Sequence, residues 1–228
     1  MEEHIVKSYD DEISQLNTEI SAMGTTCEWQ LAKALKALDT SDIRLAEEVV
    51  KEDENLNGLY KDLEDNAVKL LAKRTPLAVD LRYLLVVMRT GSELERIGDY
   101  AANIARRVIE MGCCQMLPEE SVSLIQEIGK ICRKMINDVV KAFLEMDVQG
   151  AIEVWHRDDV VDRKFARLMT DLRGRMQEDT SVVECCTLLI FMGRFLERIG
   201  DHITNISEGI YYIETGETYI GNLDVAEN

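Results

Sequence analysis

Two pairs of carboxylates in this chain have the spacing of ligands. Glu95-Arg96-Ile97-Gly98-Asp99 and Glu197-Arg198-Ile199-Gly200-Asp201 are the same five residues at an offset of 102, each preceded by a leucine (Leu94, Leu196) and followed by Asn103-Ile104 or Asn205-Ile206. On a helix, i,i+4 spacing puts both carboxylates on one face, about 5–6 Å apart at Cβ. Like charges there cost a few tenths of a kcal/mol unless a cation or a base sits between them. Hard cations prefer carboxylate oxygen, so each string is a candidate cation site. A single E-x-x-x-D is more readily a solvated polar face, here with Arg96 and Arg106 as local partners. Its duplication favours the cation.

Helices must carry these strings, and the apolar periodicity supplies them. Ile13, Leu16, Ile20, Met23, Cys27, Leu31 and Leu35 recur at three- and four-residue steps, predicting a first helix from Glu12 that ends near Asp39-Thr40. Ser41 or Asp42 caps a second, which ends at the cations Lys73-Arg74. Thr75-Pro76 reads as N-cap and first position of a third helix reaching about Met111, and Pro118 opens a fourth in the same way. A fifth runs from about Val148–Ala151 to Gln177. Ser181 and Glu184 form a capping-box pattern for the sixth, which runs to about Thr215 before a weakly structured tail.

The duplication extends beyond the strings. Gly24, Cys27, Ala37, Asp42, Ala46, Val49 and Asp53 are matched by Gly129, Cys132, Ala142, Asp147, Ala151, Val154 and Asp158 at an offset of 105, which falls to 102 at the third helix. The chain is therefore read as all-α: two tandem three-helix bundles, 1–114 and 115–216, and a tail, 217–228. In a hairpin turning near Thr75, Asp53 comes level with Glu95 and Asp99, and Asn57 lies alongside. A turn near Thr180 brings Asp158 and Asp162 level with Glu197 and Asp201. The first cluster has three acids and the second four. The apolar centre of the third helix lies along Val87, Leu94, Ala101 and Ala105, with Glu95 roughly 80° away, so the clusters should flank the core.

With 43 acidic against 26 basic residues, a formal net charge of −17 opposes binding to nucleic acid or anionic lipid and points to proteins or cations as partners. The acidic start Met1-Glu2-Glu3 lacks the form of a secretory signal, and no apolar run is long enough for membrane insertion, which predicts a cytoplasmic protein. The six cysteines have no C-x-x-C spacing and read as buried free thiols; Trp29 and Trp155 read as core, and His202 as a surface or capping residue. No phosphate loop or nucleophile-base pattern appears, so the chain reads as non-enzymatic. A ferritin-like di-metal enzyme needs two E-x-x-H pairs, and Glu153-x-x-His156 has only Glu48-x-x-Lys51 as counterpart. A metal-free helical adaptor is the other alternative.

The doubled L-E-R-I-G-D strings, with Asp53-Glu-Asn-Leu-Asn57, Ala72-Lys-Arg-Thr-Pro76 and Asp80-Leu-Arg82, resemble the PhoU family of phosphate-signalling regulators over nearly the whole chain. The resemblance implies two PhoU-type bundles side by side, a homodimer, and multinuclear metal sites. It implies a cytoplasmic role in negative control of the phosphate regulon, between the ATPase subunit of the phosphate ABC transporter and the sensor histidine kinase. The family's metal pattern falls on Asp53, Glu95 and Asp99, and on Asp158, Asp162, Glu197 and Asp201; Asn57 stands where the second copy has Asp162. Iron, manganese or magnesium suits these oxygen-only sets, and the first should hold fewer ions or none.

Overall fold

Alternation of apolar and polar residues at the helical period leaves little room for anything but long helices, and local chemistry sets where they end. The protein is described by a computed structural model covering residues 2–74, 76, 78–113 and 118–221. The helices are α1 (Glu2–Thr40), α2 (Ile43–Arg74), α3 (Ala78–Glu110), α4 (Glu119–Glu145), α5 (Val148–Glu178) and α6 (Val183–Thr215), with single 3-10 turns at Met111–Cys113 and Thr180–Val182. No strand occurs among the described residues.

Asp42 accepts a hydrogen bond from the Leu45 amide (3.1 Å) and Asp147 from the Gly150 amide (2.9 Å), so corresponding aspartates start α2 and α5. Four boundaries differ from the sequence reading. α1 begins at Glu2 rather than Glu12, the helix extending ten residues ahead of the apolar stripe that marked it. Pro118 is the N-cap of α4 rather than its first helical residue, and Pro76 stands outside α3. Ser181 does not cap α6: Asp179 accepts from the Ser181 amide (2.8 Å) and starts the 3-10 turn instead, a nearer and charged acceptor displacing the hydroxyl. The expected Thr75 cap, the 114/115 boundary and tail residues 222–228 lie outside the described residues.

Each set of three helices forms a bundle, and the bundles join through α3 on α6 and α1 on α4. The outer helices α2 and α5 pack chiefly within their own bundles. Along the seam, Arg82 Nε donates to the Ile213 carbonyl (3.2 Å), Glu93 meets His202 and Tyr100 packs on Phe195, so α3 and α6 run antiparallel.

Both offsets reappear as equivalent contacts. Cys27 Sγ lies 3.1 Å from the Leu94 carbonyl and Cys132 Sγ 3.5 Å from that of Leu196. Gly24 packs on Val140 while Gly129 packs on Leu35, the same contact seen from the other half. Leu16, Leu56, Leu94, Ile125, Leu168 and Leu196 are among the fully buried side chains, each contributing about 1.5–3 kcal/mol by leaving water.

Cys27, Cys132 and Cys186 are free and buried as expected, whereas Cys185 is disulfide-bonded. Trp29 and Trp155 are only half-buried. Trp155 is partly covered by the chain after α6, where Tyr219 packs edge-on against it (5.2 Å) and bonds His156 (3.0 Å), so the start of the tail is anchored on α5. None of the described helices is long and apolar enough to cross a membrane.

Candidate metal faces

The glycine inside each repeated string fixes how closely its helix approaches the acid opposite. A Cβ on Gly98 would fall 2.0 Å from Leu56 Cδ2 and 2.9 Å from Gln30 Oε1, and one on Gly200 would fall 2.1 Å from Asp158 Oδ1. In the second bundle, the absence of a side chain is what lets a carboxylate from α5 reach the backbone of α6. The sequence reading placed these acids level but missed the glycine's part.

On the first face, Asp53 is 8% exposed, deeper than the flanking position expected from the helical wheel. Arg106 Nη2 lies 3.5 Å from Asp53 Oδ2, and Arg96 lies 3.3 Å from Asp99 and 3.5 Å from Glu95. Burial, then the Asp99 charge, pushes the Asp53 carboxyl above its ordinary range, and Arg106 opposes the shift. Glu95 is also raised, by burial and then Asp99. The fully buried Gln30 carboxamide lies against Asp53 and helps to hold its carboxyl down, although it makes no hydrogen bond of good geometry among the described residues, and Asn57 is exposed.

The second face carries more uncompensated charge. Arg194 bonds Glu197 (2.6 Å), and Arg198 lies 3.2 Å from Asp201 and 4.0 Å from Glu197. Asp158 and Asp162 have no ion pair among the described residues. Burial, followed by the charges of Asp162, Asp201 and Glu197, pushes Asp158 up to about 7. Asp162 and Glu197 are raised as well, each by burial and then Asp201. The position equivalent to Arg106 holds Glu208, which accepts from Trp155 Nε1 (3.3 Å).

All seven expected ligands are thus brought together in two groups. Among the described residues, however, no three His, Cys, Asp or Glu side chains converge closely enough to hold a metal ion as they stand. The arginines draw several of the carboxylates aside. Fit to a hard cation is carried instead by Asp53 Oδ1, Asp158 Oδ1 and Glu197 Oε2, buried carboxylate oxygens with no hydrogen-bond donor. Such atoms are costly unless something positive satisfies them. The donor set fits a hard ion once side chains turn from the arginines, and fits better on the second face.

His202 is neither a free surface residue nor a cap. Its Nδ1 lies 2.6 Å from Glu93 Oε2, which also accepts from Asn205 Nδ2 (3.1 Å), joining the bundles between the two faces. Burial alone would raise Glu93, but the bonds from His202 and Asn205 hold it below the usual carboxylate range. No sequence spacing signals a pair so distant along the chain. Glu153 and His156, the lone E-x-x-H pair, are exposed on α5 rather than directed into the bundle.

Comparison with known proteins gives one family. The PhoU domain model matches residues 20–108 and again 125–210. The chain is 39% identical over 217 residues to the phosphate-specific transport system accessory protein PhoU homolog of Caulobacter vibrioides, covering 95% of this chain and 94% of that one. The crystal structure of PhoU from Pseudomonas aeruginosa superposes with a TM-score of 0.88 at 32% identity, covering 92% of this chain and all of that one. That of the phosphate transport system regulatory protein PhoU from Streptococcus pneumoniae gives 0.85 at 29% identity, covering 92% and 99%.

Proposed function

The chain belongs to the PhoU family, and on that premise we propose that it is a non-enzymatic regulator of phosphate uptake that works through protein contacts and carries metal on its duplicated carboxylate faces. The observation that carries the regulatory part is the likeness, over 95% of the chain and both bundles, to an accessory protein of the phosphate-specific transport system. Its partners are then the ATPase subunit of the phosphate transporter and the sensor histidine kinase, with negative control of phosphate-starvation genes when phosphate is plentiful. The metal part is supported by the donorless buried oxygens of Asp53, Asp158 and Glu197.

On this reading Asp158, Asp162, Glu197 and Asp201 hold the ion on the second face, and Asp53, Glu95 and Asp99 hold a weaker one on the first. A bound cation supplies positive charge where the chain leaves carboxylates unbalanced. Arg194 and Arg198 compete for the same oxygens, Gly200 keeps Asp158 close to α6, and Glu93 holds His202 beside Asp201. The arrangement is one in which metal occupancy changes which side chains the arginines engage, and so the surface a partner meets.

Deleting the gene tests the regulatory part: phosphate-starvation genes should be expressed in phosphate-rich medium, and the wild-type gene should restore repression. Unchanged expression, together with no recovery of the ATPase subunit or the kinase in pull-downs, overturns it.

A further inference from the structure

The internal duplication supplies a control for surface features, because a side chain the fold requires should appear in both copies. The outer helix α5 has six cations. Arg157, Lys164 and Arg175 are each paired with an acid of α4: Asp138, Glu127 (2.6 Å) and Glu120 (2.6 Å). The other three, Arg163, Arg167 and Arg173, are exposed and have no ion pair or hydrogen bond among the described residues. Arg167 lies within electrostatic reach of Glu127 without pairing with it. Arg167 shares a surface pocket with Glu120, Glu127 and Asp171, but Arg175 and Lys164 already engage those three acids, so the three neighbouring arginines are left over.

The copy in the first bundle shows that the scaffold does not need them. Packing fixes the register: Gly193 meets Leu168 and Phe165 as Gly91 meets Leu63 and Tyr60. Arg163, Arg167 and Arg173 therefore correspond to Gly58, Asp62 and Val68, two uncharged residues and an acid. At 100° per residue the three arginines fall within about 120° of helix surface and span about 15 Å of its axis. Between them lie Ala166, Thr170 and Gly174, and a Cβ on Gly174 would meet no atom within 4 Å. The stripe is thus open, cationic and uninterrupted by bulky side chains.

We propose that this stripe of α5 docks an acidic segment of a partner protein, with Arg163, Arg167 and Arg173 pairing with its carboxylates. Guanidinium groups take carboxylates in bidentate pairs, and Arg exceeds Lys where that geometry is used. A phospholipid surface has the same sign of charge but fits less well. The stripe is narrow, and a plane of headgroups would meet Asp159 and Asp162, which lie on the same helix beside it. An extended segment can follow the line of the three arginines along the helix axis. This proposal goes beyond the regulatory reading and does not depend on metal.

The test uses the full-length protein with two probes, a fluorescein-labelled oligoglutamate peptide followed by anisotropy and vesicles containing phosphatidylglycerol followed by co-sedimentation. Arg163→Glu/Arg167→Glu/Arg173→Glu should keep the helical circular dichroism and weaken peptide binding about tenfold or more, since each exposed pair contributes up to about fivefold. Arg163→Lys/Arg167→Lys/Arg173→Lys should retain most of it, Lys61→Glu on α2 should change nothing, and binding should weaken as salt rises past ~0.1 M. If the triple reversal does not fold, Arg167→Glu alone should still weaken binding about threefold. Equal peptide binding by wild type and reversal variants, no binding by wild type, or vesicles bound in place of peptide would each overturn the proposal. Loss of peptide binding with normal phosphate-gene repression would separate it from the regulatory reading.

Discussion

In the first bundle the acid contributed by α2, Asp53, is met by Arg106 at 3.5 Å and lies near Gln30. In the second, Asp158 faces Asp162, Asp201 and Glu197, the position of Arg106 holds Glu208, and that of Gln30 holds the apolar Met135. Helices, glycines and repeated strings are otherwise equivalent. What separates the faces is a few side chains one layer outside the string: three acids with Arg96 and Arg106 on one side, four with Arg194 and Arg198 on the other. A duplicated fold can thus keep its geometry while one copy is nearly balanced by its own cations and the other keeps an excess of acids.

The largest expected effect is on metal content. Purified with manganese present, the wild type should carry metal, Glu197→Ala/Asp201→Ala should lose nearly all of it, and Glu95→Ala/Asp99→Ala should lose little. At a hundredfold excess over Kd a bound ion adds about 2.7 kcal/mol. Chelation should therefore lower the wild-type melting temperature by roughly 5–10 °C for a chain of this size and leave the second-face variant unmoved. Equal metal loss in the two double variants would break the comparison.

Next in size are the glycines. Gly98→Ala drives a methyl into the fully buried Leu56, an overpacking cost of about 1–3 kcal/mol against about 1 kcal/mol gained in helix propensity. Denaturant unfolding should show a net loss of up to about 2 kcal/mol. Gly200→Ala meets only the Asp158 carboxylate, which can turn toward solvent, so stability in chelator should change by less than about 1 kcal/mol. Metal content should nonetheless fall, although no ligand has been removed. Full metal retention in Gly200→Ala would place Asp158 outside the binding set.

Much of this was legible beforehand, for reasons tied to particular residues. The offsets 105 and 102 located both bundles because Gly24, Cys27 and the L-E-R-I-G-D strings are constrained by close packing, and packing constraints repeat with the fold. Reflection about the hairpin turns placed Asp53 and Asp158 because antiparallel neighbours advance at equal rise. Balance was only partly legible. Arg96 and Arg106 were expected as local partners and do pair with the first face, but nothing in the spacing says that Arg106 reaches Asp53 on α2 while Glu208 turns to Trp155. The Glu93–His202 bridge and the anchoring of Tyr219 on Trp155 depend on how separate elements meet, which no local period encodes. The Ser181 cap failed because Asp179, two residues earlier, offered a charged acceptor.

A smaller effect sharpens the comparison through pH. Asp158 has its carboxyl raised from an ordinary value near 4 to about 7 by burial and then by its acidic neighbours. Between those values the folded state holds a proton that the unfolded state has lost, so without metal its ionisation destabilises the fold as pH rises, fully so above about 7. Asp158→Asn in chelator should therefore be close to neutral near pH 4 and more stable than wild type by about 1–2 kcal/mol near pH 8, after allowing for screening by solvent at the face. Asp53→Asn should gain less, because Arg106 already offsets part of the charge. A gain that does not grow with pH would remove electrostatic excess as the distinguishing feature.

The smallest expected effect comes from giving the first face the charges of the second. Asn57→Asp restores the fourth acid, and Arg106→Glu replaces the cation by the acid that stands at 208. Arg106 is 43% exposed on a pair at 3.5 Å, so losing it costs about 0.5–1 kcal/mol, and the added like charges cost a similar amount. In chelator the double variant should thus be about 1–2 kcal/mol less stable than wild type. Manganese should recover that loss and add metal to a protein whose second face has been disabled by Glu197→Ala/Asp201→Ala. Recovery would show that charge alone separates the faces. If metal neither binds nor stabilises, the difference must lie deeper, where Gln30 stands against Met135 and Leu56 against Val161 beneath the string.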